Sequence, residues 1–559
     1  MNKSGWSKLL LPLLTASLIA TACSNSGNTP STREGEEPTN SEQAEVKKDI
    51  SVSIYDRGSV AQDEGTIENN RWTKWINEHG PANVKYVAIP RASPEEKINV
   101  LYASGSAPDI LFEFNPKVRD PLYQQKQLMP IDELIEEHSI YYKQLLEDNP
   151  GLRKAGTKPD GQLYEFGKIN WVNPNRGLLI RNDWLEKLSL DVPQTMDDLL
   201  AVATAFANDD PDGNGSKDTY GFTVGGQAFG TARQMFGALW ALEGDQLVRK
   251  PERRAAFYTL LKQMYDNGVI DRDFPSDENG ARAKQDFING KIGIYPFLDG
   301  NAVNILQSLI DPLKANVPEA DVTFIPYPET SYGGFTPTLI NPVQMTAVIS
   351  ASAKNPDAAI KYIDFMASPE TDRFLLNGLE GTHHSIVNGC PEITDAEKLK
   401  KEVSDLTLDM RMLQSSGLTF SKCDLPIIKY QSDPRKEEFQ SFYNLYRDTY
   451  FNFDREYVDL THSEHMPTPP RDLNTIESNT EKTMDDIWLK AVVSGASYSI
   501  EQAIQETENA WSKAGGQQVE DWYREWYAAE KDSAFLAKDI YKVVQEQMVS
   551  YEEIMKEVQ

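Results

Sequence analysis

Polar and apolar residues alternate over Ile50-Ser51-Val52-Ser53-Ile54-Tyr55, the period of a half-buried strand. Residues 69–79 change to a helical period, with Trp72, Trp75 and Ile76 on one stripe. Residues 83–89 read as a second strand, 95–103 as a helix and 109–114 as a third strand. Strands that alternate with helices pair in parallel through helical crossovers, which predicts an α/β fold. Ligands of such sheets bind beyond the carboxyl ends of the strands. That rule selects Arg57, Glu113, Phe114 and Asn115 as candidate contacts.

A second run of elements begins near Asn170. Residues 177–181 read as a strand and 184–188 as a short helix. Thr195 is placed to N-cap a helix, with Asp198 at the third helical position of a near capping box. Helical periods follow at 231–242, 252–267 and 281–289, strands at 291–297 and 343–349, and an amphipathic helix at 355–366. From Asp395 onward the chain reads as mostly helical. Trp522, Tyr523, Trp526 and Tyr527 share one helical face and read as core.

The first residues carry a different pattern. Lys3 and Lys8 precede an apolar run over 9–20, and Ala20-Thr21-Ala22 leads into Cys23. A basic start, a short apolar stretch and small residues make a secretory signal. The run is shorter than the ~20 residues of a permanent span. With the cysteine at its end it resembles a bacterial lipoprotein signal, although Ala20 stands where Leu is commoner. Residues 1–22 are therefore expected to be removed, and Cys23 to carry the lipid. Residues 23–48, polar and poor in apolar groups, are expected to be a disordered tether.

The chain has 559 residues and a net charge of −29. That balance argues against nucleic acid, whose phosphates require Lys and Arg. It leaves the lipid as the only expected membrane attachment. Besides Cys23 there are two cysteines, Cys390 and Cys423. In an oxidising compartment they either pair or remain two buried thiols. Asp210-Pro211-Asp212-Gly213-Asn214-Gly215-Ser216-Lys217-Asp218-Thr219 is the sharpest local motif. Oxygen-bearing side chains recur at alternate positions, with Gly at the sixth, a spacing that wraps a hard cation. Asp210, Asp212, Asn214, Ser216 (through its carbonyl), Asp218 and Thr219 are the candidate ligands of a structural Ca²⁺. The twelfth position is Gly221 where an EF-hand has Glu, and an ion-free Asx turn is the alternative.

Three further segments carry a resemblance. They are Tyr102-Ala103-Ser104-Gly105-Ser106-Ala107-Pro108-Asp109-Ile110, Phe287-Ile288-Asn289-Gly290-Lys291-Ile292-Gly293-Ile294, and Ala353-Lys354-Asn355-Pro356-Asp357-Ala358-Ala359-Ile360. In this order, behind a lipoprotein-like signal, they resemble the family 1 extracellular solute-binding proteins of carbohydrate ABC importers. Size and the Asp-rich loop bring the chain nearest the lipoprotein-LplA-like group of Gram-positive bacteria. The resemblance implies a two-lobed periplasmic-binding-protein type II-like fold, each lobe a mixed sheet flanked by helices around a hinge. Lobe 1 is expected from 49–170 plus 342–368, and lobe 2 from 171–341 plus 369–559, with crossings near Asn170, Asn341 and Ser368. It further implies a monomer on the outer face of the membrane that passes oligosaccharides to permease subunits.

Sugar rings offer apolar faces to aromatic side chains and hydroxyls to polar ones. Tyr295, Phe297 and Asp299 stand at a strand end that lines the cleft in this family. Trp171, Trp240, Tyr332 and His384 complete the expected ligand set. His383 and His384 have no close-spaced partner pair beyond His462 and His465, which disfavours a zinc site. The sequence has no HExxH, GxSxG, Walker-A or GxGxxG motif. No enzyme activity is expected. A glycoside hydrolase remains the rival, since its two carboxylates obey no spacing rule. A surface sensor or adhesin is a third possibility.

Overall fold

The computed structural model describes residues 46–558. The signal segment, Cys23 and nearly all of the expected tether lie outside the described residues.

Lys48–Asp56, Ala82–Pro90 and Ile110–Phe112 form the expected parallel set, with Lys48–Asp56 in the middle. Arg71–His79 and Pro94–Ala103 are the intervening helices. The first of these starts on a capping box between Asn70 and Thr73. Val343–Ile349 joins the sheet antiparallel to Ile110–Phe112, and Glu165–Ile169 closes the far edge. Val343–Ile349 is buried at six of its seven positions, as a central strand covered on both faces should be.

A second sheet has the order Val322–Ile325, Arg176–Arg181, Ile292–Leu298, Tyr220–Phe222. Thr195 and Asp198 form the predicted capping box at the head of Met196–Asn208. The helical reading of 231–242 fails in part. A helix spans Gln227–Gln234, and Trp240–Glu243 pairs with Gln246–Arg249 as a hairpin. Gly237 and Gly244 have positive φ there, which breaks the helix and makes the turn.

Each sheet organises its own apolar core, and a third cluster lies behind the second sheet. Segments 170–175 and 338–342 run side by side between the sheets. Asn170 N donates to Pro342 O (2.9 Å), Ile340 N to Asn173 O (2.9 Å) and Asn175 N to Thr338 O (3.1 Å). Two of the three expected crossings, near Asn170 and Asn341, fall on these segments, and the third is expected near Ser368. Ser368 caps the helix Pro369–Asn377, and Leu375, Val403, Leu406 and Leu413 all pack into the first core. The chain next packs against the third cluster at Tyr430 and enters it at Phe439. The last helix, Ala537–Val558, touches both sides, with Ile540 and Val544 in the first core and Tyr551 against the third. Cys390 and Cys423 form a disulfide (Cα–Cα 5.4 Å) that ties the hairpin His384–Val387/Cys390–Ile393 to the following segment. No described helix is long and apolar enough to cross a membrane.

Candidate functional site

Asn115 caps the helix Pro116–Gln124, accepting from Lys117 N (3.0 Å). That helix presents Arg119, Asp120 and Tyr123 to a cavity of about 540 Å³. Arg119 Nη2 lies 3.0 Å from Glu165 Oε2, and Lys158 Nζ lies 2.6 Å from Glu165 Oε1 and 2.9 Å from Asp120. Burial alone would raise the Glu165 pKa. Arg119 and Lys158 outweigh it and hold the carboxyl at about 2. Glu165 is thus a permanent anion inside a closed network.

The opposite wall is the helix Gly516–Glu530. Tyr523 and Tyr527 turn into the second core, whereas Trp522 and Trp526 are half-buried and line the cavity. The expectation that all four are core holds fully for Tyr523 and Tyr527; Trp522 and Trp526 pack against the second core on one side and line the cavity on the other. The segment Glu464–Thr468 lines the cavity as well. Glu464 accepts from Asn341 Nδ2 (3.0 Å) and Gln344 Nε2 (3.0 Å), and His465 Nε2 lies 3.0 Å from Asn341 Oδ1. Burial, helped by His462, pushes His465 down to about 3, so the ring is neutral at ordinary pH.

Met466 is shared with an adjoining cavity of about 300 Å³. Trp240, packed 4.6 Å from Tyr523, lines it together with Arg233, Arg253, Arg254 and Asp459. Burial raises Asp459 to about 6 against the pull of Arg176 and Arg233. The two cavities, which share Met466, make up the candidate cleft; in the larger, one wall belongs to elements of the first core and the other to the helix Gly516–Glu530, packed on the second.

Of the expected ligand residues, Trp240 lines this cleft. Asn115 and Glu113 act on it from behind: the Glu113 carbonyl accepts from Arg119 Nη1 (2.8 Å) while its side chain is buried. The others do not line either cavity. Arg57 is held in a two-point ion pair by Asp409 (2.7 and 2.9 Å). Phe114 packs edge-on to Tyr55 under Arg91. Trp171 is buried, stacked on Phe420 at 3.6 Å, and donates from Nε1 to Tyr443. Phe297 is 3% exposed and packs on Phe324, and Tyr295 packs on Phe287. Asp299 caps the turn at Asn301 (2.8 Å). Tyr332 donates from its hydroxyl to Glu252 O (3.1 Å), and His384 is buried with Nδ1 2.9 Å from Asn377 O. For Phe114, Tyr295 and Phe297 the placement has a common cause. A strand-end aromatic is drawn equally to a ligand and to the adjacent core, and sequence does not distinguish the two. The Trp522 and Trp526 pair was detectable as part of an aromatic stripe.

The Asp-rich loop is tightly turned, with positive φ at Asp210, Gly213 and Gly215. Asp210 accepts from Gly215 N (3.1 Å), and Asn214 Nδ2 donates to Asp212 (2.7 Å) and Asp218 (3.1 Å). Ser216 N donates to Asn214 Oδ1 (2.6 Å). Thr219 is buried, its hydroxyl donating to Phe206 O. Among the described residues, no three His, Cys, Asp or Glu side chains come together as a metal-holding group.

Residues 65–373 match the family model of bacterial extracellular solute-binding proteins. The chain is 28% identical over 300 residues to the fructooligosaccharide ABC transporter substrate-binding protein FusA of Streptococcus pneumoniae serotype 4. That alignment covers 49% of this chain and 53% of FusA, about half the length of that relative. It is 23% identical over 465 residues to the polygalacturonan/rhamnogalacturonan-binding protein YtcQ of Bacillus subtilis strain 168, covering 79% and 85%. Among solved structures, an extracellular solute-binding protein from Bifidobacterium longum subsp. infantis superposes with a TM-score of 0.66 at 17% identity, covering 86% of this chain and 98% of that one. The EF-hand mutant of FusA from S. pneumoniae in complex with fructo-nystose superposes at 0.60 and 17%, covering 86% and 99%. The expected two-lobed α/β architecture is the one these structures share with this chain.

Proposed function

Because the chain belongs to the bacterial extracellular solute-binding protein family, we propose that it captures an oligosaccharide between its two lobes and delivers it to the permease of an ABC transporter. One observation carries the reading. The cavity of about 540 Å³ lies between elements of the first two cores and is lined by half-buried Trp522 and Trp526 together with Tyr123 and buried charged groups. Aromatic faces and charge-assisted donors are what pyranose and furanose rings require. FusA and YtcQ are both carbohydrate binders by name. The two core clusters correspond to the lobes, and ligand contacts made from both walls favour the closed state.

We further propose that the mature chain starts at a lipidated Cys23 and works on the outer face of the membrane as a monomer. The sugar leaves unaltered, without catalysis. The loop 210–219 takes Ca²⁺. Asp212 and Asp218 both accept from Asn214 Nδ2 and Asp210 accepts from Gly215 N, partial positive charges that a cation would replace. The test is calorimetric titration with neutral and acidic oligosaccharides, followed by mass analysis of the recovered sugar. Saturable binding with the sugar intact supports capture. Cleaved sugar supports the hydrolase reading, and no binding to any sugar overturns the proposal.

A further inference from the structure

FusA and YtcQ take sugars of different charge, so kinship leaves the class open. The cleft itself is more decisive. In the larger cavity every cation already has an acidic partner. Arg119 and Lys158 sit on Glu165, Lys158 also on Asp120, and Lys154 on Asp539 (3.0 Å). Three further carboxylates, Glu464, Glu530 and Asp532, line the same space. The smaller cavity balances three guanidinium groups against three carboxylates. Arg254 pairs with Glu481 (2.6 Å), Arg233 faces Asp459, and Glu477 accepts from the Tyr523 hydroxyl.

A uronate carboxylate entering the larger cavity, where Trp522 and Trp526 lie, meets no uncompensated cation. Burying it there costs its desolvation without a partner. A sugar hydroxyl both donates and accepts, so it suits walls that alternate carboxylate and guanidinium. Unpaired buried polar atoms wait for such groups: Arg253 Nε in the smaller cavity and Thr468 Oγ1 in the larger, on residues no more than 9% exposed.

The two tryptophans add a direction. Trp522 and Trp526 are one helical step of four residues apart, a rise of about 6 Å, close to the repeat of one ring in an extended saccharide chain. Trp240, buried against Tyr523 of the same helix, lines the adjoining cavity. We infer that the ligand is a neutral linear oligosaccharide of at least three units, laid along Gly516–Glu530 with successive rings on Trp522 and Trp526 and its end beside Trp240. This inference rests on the sugar-capture reading.

The test is isothermal titration calorimetry of the full chain in detergent with nystose, maltotetraose, cellotetraose and galactotetraose, against tetragalacturonate and an alginate tetramer, at low salt. At least one neutral tetramer should bind ten-fold or more tighter than either uronate, and its disaccharide should bind at least ten-fold more weakly. A uronate that binds as tightly as the best neutral sugar overturns the inference and leaves sugar capture standing. Failure of all six overturns sugar capture, and this inference with it. Trp522→Ala and Trp526→Ala should each weaken the neutral tetramer ten-fold or more with an unchanged melting curve. Unchanged affinity in both overturns the placement along the helix.

Discussion

Residues that look alike in the sequence divide here by what lies behind them. Phe297 and Trp526 are both aromatic and both near polar segments, yet Phe297 fills the third cluster and Trp526 faces the cleft. Phe297→Ala should therefore act as a core truncation, lowering stability by about 3–5 kcal/mol in denaturant unfolding. A variant with wild-type stability would remove Phe297 from the core. Asp459 makes a second residue-level case. Its folded pKa, about 6, is raised above the ordinary carboxylate value. The folded state then holds the proton more tightly than the unfolded one. The burial cost is absent at pH 4 and below, grows as pH rises, and is complete above about 6. Asp459→Asn should raise the melting temperature above pH 6, by up to about 3 kcal/mol of stability, and leave it nearly unchanged at pH 4. An equal gain at both pH values would rule out titration as the cause.

At the scale of elements, period and capping chemistry carried most of the information. The alternation at 50–55, the Asn-Pro start before Pro356–Ala367 and the Thr195–Asp198 box each found their element, because local hydrogen bonding and one buried face determine them. The 231–242 segment did not, since its apolar residues fit two periods and Gly237 decided between them. Pairing across long sequence distance was least legible. Sequence left the state of Cys390 and Cys423 open, and the structure joins them across 33 residues. A loop of that size constrains the unfolded chain by about 3–4 kcal/mol in the chain-entropy account. Cys390→Ser should lower unfolding free energy by an amount of that order, read in urea, and reductant should leave the variant unaffected. The Asp-rich loop belongs to the same scale. Its spacing was readable, its ion was not. Added Ca²⁺ should raise the melting temperature of chelator-treated protein by stabilising the folded form, and Asp212→Ala should abolish the gain. No gain in the parent would reject the calcium reading.

For the whole molecule, the decisive feature is how the segment 170–175 between the sheets is held. The family resemblance pointed to Asn170 and Asn341, but it gave no hint that a helix nearly four hundred residues later would grip the same segment. Gln547, 7% exposed on Ala537–Val558, donates from Nε2 to Asn170 O (2.8 Å) and accepts from Val172 N (2.8 Å). Arg447 Nη1 adds a bond to Val172 O (3.1 Å) from the third cluster. A side chain that satisfies both a buried carbonyl and a buried amide fixes the backbone locally, and losing it leaves two groups unpaired. Gln547→Leu should therefore destabilise the fold by about 2–4 kcal/mol. Its second effect separates a hinge role from simple packing. If the clamp sets the resting angle of the lobes, the variant should change the radius of gyration of the ligand-free protein in X-ray scattering, while the sugar-bound radius stays that of the parent. A stability loss with both radii unchanged would make Gln547 a packing residue.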